Sequence, residues 1–475
     1  LNTTAAATFT DLFDVGLTDT TFNPQKFTGS GQNINASGGT YVAYLFAHNA
    51  GGFGLTGTDN VISCGSYTGA GTVDLGYEPQ WVMYKRTEST GPWYMNDTMR
   101  GFPVSGNQAF LYANSSDAES SGGGLINLTA TGFTHINAGS YIYIAIRRGP
   151  MKVPTDGTSV FSPNASSSNT GTAQTTNFPV DLQIMSLTNA VENKYVADRL
   201  RGVITTPTNA TSLQLRTNST ANELTGGSDF TRYWNNNGFE TPSWFGDNYA
   251  INGYSGVFWN FRRAPGFFDE VCYTGTGVAG RTVTHNLGVA PQLVITKGRD
   301  TTTTFGDWMV LPPTLQNVKL NEDTAQDASS TTAYYFGNNT SVIAPTNTVF
   351  TLGSENTVNQ SGKNFVAYLF ASCPGVSKVG SYTGTGTTQQ INCGFTAGAR
   401  FVLIKRVDST GAWYVWDSAR GIVSGNDPYL LLNSTAAEVT NTDFIDTAST
   451  GFEISSTAPA AINASGGTFI FLAIA

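Results

Sequence analysis

Along the chain, Val, Ile, Thr, Tyr, Phe and Trp gather in short runs, and Gly, Asn, Asp and Ser separate one run from the next. Runs of about four to eight residues with this punctuation predict antiparallel strands in a sandwich or barrel. Residues 81–85, 293–297 and 401–405 are such runs, each ending in lysine, and residues 141–146 and 469–475 are apolar throughout. Helical periodicity is nearly absent. Residues 193–201 could form a turn or two of helix, but Lys194-Tyr-Val-Ala-Asp198 occupies a slot where other parts of the chain carry a strand.

The runs repeat in a fixed order. Gly65-Ser-Tyr-Thr-Gly-Ala-Gly-Thr72 returns as Gly380-Ser-Tyr-Thr-Gly-Thr-Gly-Thr387 and in part as Cys272-Tyr-Thr-Gly-Thr-Gly277. Thr87-Glu-Ser-Thr-Gly-Pro-Trp-Tyr-Met-Asn-Asp-Thr-Met-Arg-Gly101 aligns with Val407-Asp-Ser-Thr-Gly-Ala-Trp-Tyr-Val-Trp-Asp-Ser-Ala-Arg-Gly421, and a third copy keeps Asp198-Arg-Leu-Arg-Gly202. Apolar endings at 35–47, 137–148, 252–263, 359–371 and 463–475 mark five units, of which only four have beginnings. Leu1-Asn-Thr-Thr-Ala-Ala6 resembles the mid-unit segment Leu432-Asn-Ser-Thr-Ala-Ala437. The first unit is thus entered halfway, and the numbered chain is expected to be the C-terminal part of a longer polypeptide.

The units run 1–54 (the end of a truncated repeat), 55–149, 150–267 (divergent), 268–375 and 376–475. Each complete one is expected to be an antiparallel beta-sandwich of about 100 residues, jelly-roll-like, so the chain is all-β with tandem repeats. The joints Gly149-Pro150, Ala264-Pro-Gly266 and Cys373-Pro-Gly375 are short. Brief connectors predict a semi-rigid rod of units.

Composition narrows the function. Charged residues are 12% of the chain, 24 Lys+Arg against 33 Asp+Glu, and the cations are scattered singly. Nucleic-acid binding needs clustered cations, so it is not expected. No apolar run approaches the roughly 20 residues of a membrane-spanning helix, and no charged start with an apolar core marks a signal peptide. The four cysteines, 64, 272, 373 and 393, form no CxxC pair and read as packing residues, although Cys373 and Cys393 could approach across neighbouring strands.

Candidate chemistry is sparse. The three histidines, His48, His135 and His285, fall at different points of different units, and no HExxH, GxSxG, phosphate loop or EF-hand pattern is present. Catalysis, a cofactor and a metal site are therefore not expected. The repeated pairs Asp97 with Arg100, Asp198 with Arg201 and Asp417 with Arg420 read as structural, the carboxylate accepting across a turn from backbone N–H or from the guanidinium, set against a ligand clamp at an exposed rim. Trp93, Trp308 and Trp413 read as anchors of the sandwich core or its margin, and Lys85, Lys297 and Lys405 as solvated strand ends that block unwanted pairing. Tyr233, Trp234, Phe239, Trp244, Phe245 and Tyr249 crowd one stretch with Asn235, Asn236, Asn237, Asp247 and Asn248. Of these, Tyr233, Trp234, Trp244, Asp247 and Tyr249 are the candidates for a sugar-binding patch, set against the plainer reading of core plus loop polarity.

The order GSYTGxGT, a strand ending Lys-Arg, DSTGxWYxWDSxRG, LLLNSTAAE and NASGGTFIFLAIA resembles the repeated domain of virion structural proteins of marine tailed bacteriophages, the tail-fibre-like proteins. The likeness covers 55–149, 268–375 and 376–475 well, 1–54 in part and 150–267 loosely, since that unit lacks the YTG opening and the Trp before Asp198. It implies a place on the virion exterior and brings no catalytic residues. The expected function is a tail-fibre component in multivalent attachment to a host surface glycan or protein. Partners would be other virion proteins and further copies in a homo-oligomer, taken as a trimer because fibres commonly are. The alternatives are a non-adhesive component such as capsid decoration or fibre shaft, a cellular surface filament or adhesin, and a glycan depolymerase.

Overall fold

The computed structural model describes residues 4–5, 18, 20–24, 35–54, 56–106, 108–120, 123, 125–150, 152–167, 172–202, 213–224, 234–241, 244–245, 249–250, 253–301 and 303–475, with the backbone alone at 244, 245, 249 and 250. In the second unit the apolar runs become β1 (Ile62–Thr68), β2 (Gly71–Asp74), β3 (Pro79–Arg86), β4 (Trp93–Asp97), β5 (Leu111–Tyr112), β6 (Ile126–Thr129), β7 (Gly132–His135) and β8 (Ser140–Arg147). They form a five-stranded sheet in the order β1-β8-β3-β4-β5 and a three-stranded sheet in the order β2-β7-β6, antiparallel throughout. Placing β1-β8-β3 over β2-β7 is the jelly-roll arrangement. The departure is β4, which folds back beside β3 as a hairpin instead of crossing to the other sheet.

The fifth unit repeats this layout with Ser377–Thr383, Gln389–Asn392, Phe401–Arg406, Trp413–Asp417, Leu430–Leu431, Ile445–Ala448, Gly451–Ile454 and Thr468–Ile474. The third unit, loosest in sequence, has the same two sheets and adds a hairpin, Trp244–Phe245 with Tyr249–Ala250. Its Tyr195–Asp198 is a strand, so no helix forms at 193–201. In the fourth unit the helix Ser329–Tyr335 stands where the others have their sixth strand, and the second sheet is reduced to two strands.

Why the strands are apolar on consecutive residues follows from the two faces of the larger sheet. In the fifth unit Val402 and Ile404 point into the sandwich with Phe452, Ile454, Phe469 and Phe471. Phe401 and Leu403, one residue out of step, point the other way and are also buried. They join Val196, Trp259 and Phe261 of the third unit and Ile295, Trp308 and Tyr368 of the fourth in one continuous core. The larger sheets of the last three units therefore pack outer face against outer face. The rod expected from the short connectors is not what forms. A rod would leave these faces in water, and each Leu, Val or Phe buried instead contributes about 1.5–3 kcal/mol.

The second unit sits against this group through polar and apolar contacts: Arg263 holds Glu78 with both terminal nitrogens at 2.8 and 2.6 Å, the Val104 amide donates to the Leu200 carbonyl at 3.0 Å, and the Leu200 side chain is buried in the second unit's core. In the first unit, residues 41–46 match the last strand of the other units in sequence but form no ladder, and Val42, Tyr44 and Leu45 are exposed. That strand elsewhere lies between the first and third strands of its own unit, and among the described residues neither is present in 1–54. No helix among the described residues is long and apolar enough to cross a membrane.

Candidate functional site

The joints between units hold the most elaborate chemistry in the chain. Each is built on the hairpin between the third and fourth strands. In the fifth unit the Lys405 ammonium donates to its own Gly411 carbonyl at 2.5 Å and to the Thr324 carbonyl of the fourth unit at 2.8 Å. Lys297 of the fourth unit does the same to Gly306 and, at 3.4 Å, to Ser219 of the third unit. Lys194 of the third unit reaches Glu192 at 3.2 Å and Ala436 of the fifth unit at 2.9 Å. Fifth on fourth, fourth on third, third on fifth: the contacts close into a three-membered ring.

Backbone bonds follow the same circuit. The Gly411 amide donates to Asp323 at 2.8 Å and the Glu192 amide to Thr435 at 2.9 Å, while a Cβ on Gly306 would run into the Thr220 carbonyl oxygen. In return, the amides of Gln326, Glu438 and Glu223 donate to Val407, Thr188 and Arg299 of the next unit, each at 2.8 Å. Two tryptophans complete the joints: Trp413 Nε1 donates to Lys319 O at 2.9 Å and Trp308 Nε1 to Arg216 O at 2.8 Å. The third unit has Lys194 in the tryptophan position, and Ser186 where the others have lysine.

This corrects the solvated-edge reading of the lysines. Lys297 and Lys405 are fully buried and Lys85 nearly so, because their side chains lie on the sheet face that meets another unit. Burial pushes Lys297 down to about 7, and Lys194 and Lys405 to about 8. Trp308 and Trp413 lie in the core shared by the ring; Trp93 is half-buried.

The Asp-x-x-Arg-Gly elements end the fourth strand in three units. Asp417 accepts from the Arg420 amide at 3.1 Å and from its Nε at 2.7 Å, and Arg420 Nη2 returns to the Val415 carbonyl at 3.1 Å. Asp198 with Arg201 repeats the same three bonds. In the second unit Asp97 accepts from the Arg100 amide at 2.9 Å and from Arg100 Nε at 2.5 Å, but the return from Arg100 Nη2 to the Met95 carbonyl stretches to 3.4 Å. Gly101, Gly202 and Gly421 follow with φ of 107°, 131° and 125°, where a side chain would be strained.

All three aspartates clamp the turn as expected, accepting from the arginine amide and its Nε, and the pairs differ only in what the guanidinium meets next. The side chains of Arg201 and Arg420 are 0% and 4% exposed, and each donates from Nη1 to a glutamate, Glu223 at 2.8 Å and Glu438 at 3.0 Å. Arg100 is half-buried, and its Nη1 stands 3.9 Å from Glu119, beyond hydrogen-bond reach. The difference lies in the neighbour. Glu223 and Glu438 are held by backbone bonds to the next unit of the ring, whereas Glu119 is on a strip that no such unit covers among the described residues.

In the ring the aspartate also serves the next unit: Asp417 accepts from Trp259 Nε1 at 2.8 Å and Asp198 from Tyr368 Oη at 2.6 Å. The fourth unit has Pro312 in place of the aspartate, and the residue of the fifth unit that matches Trp259 and Tyr368 is Leu472, which has no donor. Acceptor and donor are lost together.

Among the described residues, the second unit has the same docking parts with only one side filled. Lys85 donates to Gly91 O at 2.7 Å and to Thr4 O at 3.2 Å, and the Gly91 amide to Thr4 O at 2.8 Å, so the first unit supplies what a neighbour supplies in the ring. Residues 115–119, matching 434–438, are exposed and receive no hairpin among the described residues. Trp93, Met95 and Ile144 are half-buried and Ile142 is 39% exposed, where their counterparts Trp413, Val415, Leu472 and Ile470 are buried.

Of the sugar-patch candidates, only Trp234 has a described side chain. Trp234 is a core residue, packed with Phe178, Met185, Phe239 and Phe258 and covered by the Arg199 guanidinium 5.5 Å from its ring, so its face is closed to a ligand. Tyr233 and Asp247 lie outside the described residues, and Trp244 and Tyr249 are placed by backbone only, on the added hairpin. Cys373 and Cys393 are free, the Cys373 thiol donating to the Pro154 carbonyl at 3.5 Å.

A cavity of about 360 Å³ lies where the second, third and fourth units meet, lined by Glu78, Arg147, Arg148, Arg263, Asp269 and His285 among others. Its charges satisfy one another: Arg263 donates from Nε to Asp269 at 2.8 Å while holding Glu78. The His285 ring accepts from the Leu287 amide at 3.3 Å and faces the Thr346 carbonyl at 3.2 Å. Burial pushes its pKa down, so it stands neutral and fixed, and the cleft reads as a joint.

A family profile described as a domain of unknown function (DUF7483) matches residues 1–150 and 158–475. No curated protein matches the chain.

Proposed function

We propose that this chain, which belongs to the DUF7483 family over nearly all of its length, is a non-catalytic structural component of a virion exterior, a building block of a tail-fibre-like appendage. The single observation that carries the structural role is the closed ring, in which three sandwiches share one apolar core pinned by buried lysines and tryptophans. Placement on a virion rests on the resemblance of the repeat motifs to tailed-phage proteins. A protein that attaches through aromatic platforms keeps them at a rim, whereas Trp259, Trp308, Trp413 and Trp416 here are fully buried. The geometry therefore favours a shaft or decoration role over multivalent receptor binding.

The second unit is where assembly continues. Its half-exposed apolar face and the strip 115–119, uncovered among the described residues, match surfaces that take another sandwich in the ring. The partner is a unit of this same repeat contributed by a second copy of the chain, making the protein a homo-oligomer. Sedimentation equilibrium tests this. The wild-type chain should associate at micromolar concentration, and Ile142→Arg, which places a charge on the open face, should yield monomers with unchanged circular dichroism. A wild-type chain that stays monomeric at tens of micromolar would overturn the assembly role.

A further inference from the structure

Outside the joints, three carboxylates of the fifth unit converge. Asp427, Asp443 and Asp446 each offer an oxygen, and the three oxygens lie within 4.8 Å of one another. Asp427 is fully buried. Its Oδ1 accepts from the Val423 amide at 2.7 Å, while Oδ2 has no hydrogen-bond partner, and neither has the buried Oδ1 of Asp443. Asp446 Oδ1 accepts from the Gly425 amide at 3.0 Å. Among the described residues no lysine, arginine or histidine forms an ion pair with any of the three.

The second unit supplies an internal comparison. Leu430 faces Val415 as Leu111 faces Met95, so Asp427 stands where that unit has Gln108; Asp446 follows Ile445 as Asn127 follows Ile126. There the Gln108 amide donates directly to Asn127 Oδ1 at 2.9 Å, and the position matching Asp443 is Gly124. One fold position is thus satisfied by a neutral amide pair in one unit and filled with three acceptor-only groups in another. Carboxylates cannot donate to each other when ionised, and like charges at this spacing repel.

We infer that Asp427, Asp443 and Asp446 bind one Ca²⁺ ion. All-oxygen, carboxylate-rich donors select a hard divalent cation, and Ca²⁺ takes such ligands at about 2.3–2.6 Å. Two oxygens on one Ca²⁺ are then at most about 5 Å apart, which the observed span satisfies. Water and backbone carbonyls complete the shell, and the ion links the loop bearing Asp427 to the strand Ile445–Ala448, closing the end of the sandwich. Three carboxylates without a preformed bidentate set correspond to an extracellular-module affinity, a Kd on the order of 10⁻⁴ to 10⁻³ M.

The test uses the full chain after removal of divalent ions with a chelator. Calorimetric titration with CaCl₂ should show one saturable site per chain, and millimolar Ca²⁺ should raise the Tm. The double variant Asp427→Gln, Asp446→Asn copies the amide pair of the second unit. It should fold with a chelated Tm no lower than wild type, and should show neither the heat of binding nor the Ca²⁺ response. A wild-type chain with no saturable Ca²⁺ heat and an unmoved Tm would overturn the site, leaving the carboxylates neutralised by a proton. Ca²⁺ binding that survives in the double variant would overturn the assignment to these residues.

Discussion

A lysine amine enclosed by protein lowers its energy by giving up its proton or by donating to well-placed acceptors, and the ring lysines do some of each. Their carbonyl acceptors come from two units at once, so each amine ties a hairpin to its neighbour. In the unfolded chain lysine stays protonated to about 10.4, whereas burial brings Lys297 to about 7. Between those values the unfolded chain binds more protons, so stability rises with pH across that window. The urea midpoint should be higher at pH 9 than at pH 6.5, and Lys297→Met should flatten the difference; an unchanged difference would show that Lys297 is not its source. The partner tryptophan makes a second test. Trp413→Phe removes the bond to Lys319 and leaves a void in a shared core, an expected loss of about 2–4 kcal/mol by chemical denaturation. Trp93→Phe, at a half-buried position, should cost under about 1 kcal/mol. The place of these lysines at a strand end suggests solvent, which is why the sequence misleads there. The better signal is parity: Lys405 shares a face with Phe401 and Leu403, and a lysine on an apolar stripe announces buried acceptors.

At the scale of the element, most of the fold was legible. Runs of Val, Ile, Phe, Tyr and Trp became strands, and residues 195–198 took the strand slot that the repeat assigned to them. What the runs did not disclose was their partner. Apolar residues on consecutive positions, as in Phe401-Val-Leu-Ile, signal a sheet buried on both faces, but the second cover comes from other units, the third of them more than a hundred residues away. The Asp-x-x-Arg-Gly turn illustrates the same limit: its local clamp could be read from spacing, its bond to Trp259 or Tyr368 could not. Nor could spacing tell Arg100 from Arg201 and Arg420, because what differs is the neighbour that fixes the second carboxylate. That double duty sets the size of the defects. Asp417→Ala would strand Arg420, whose side chain is 4% exposed, together with Trp259 Nε1. The expected cost is about 3–5 kcal/mol, as for a broken buried pair. Asp97→Ala affects the pair with Arg100, 20% exposed on both partners, and should cost no more than about 1–2 kcal/mol. Equal losses in the two variants would mean that the contact between units adds nothing to the turn. The carboxylate cluster was invisible for a related reason, since the loop of Asp427 is brought to Asp443 and Asp446 by contacts such as the Asp427 amide donating to the Thr442 carbonyl at 2.7 Å, not by a loop motif with fixed spacing.

For the whole molecule, the choice between rod and ring is a statement about cooperativity. Units joined as beads or as a rod keep separate cores and unfold nearly independently, with nearest-neighbour coupling at most. Here the third, fourth and fifth units share Trp259, Trp308, Trp413 and their neighbours in one core, and each unit contributes hairpin bonds to the next. Removing any one would expose the outer faces of the other two. Residues 161–474 should therefore unfold in a single calorimetric transition whose van't Hoff enthalpy approaches the measured enthalpy, despite a length at which separate domains are the rule. The second unit, held by ion pairs such as Arg263 with Glu78 and by Leu200 packed into its core rather than by the shared core, should melt apart from that transition and respond to salt. A charge placed in the shared core tests the coupling directly: Leu403→Asp lies in the fifth unit, and in a ring it lowers the melting of all three units together. Three separate transitions, with only the fifth unit shifted by the substitution, would return the molecule to independent sandwiches and remove the ring as the basis of its structural role.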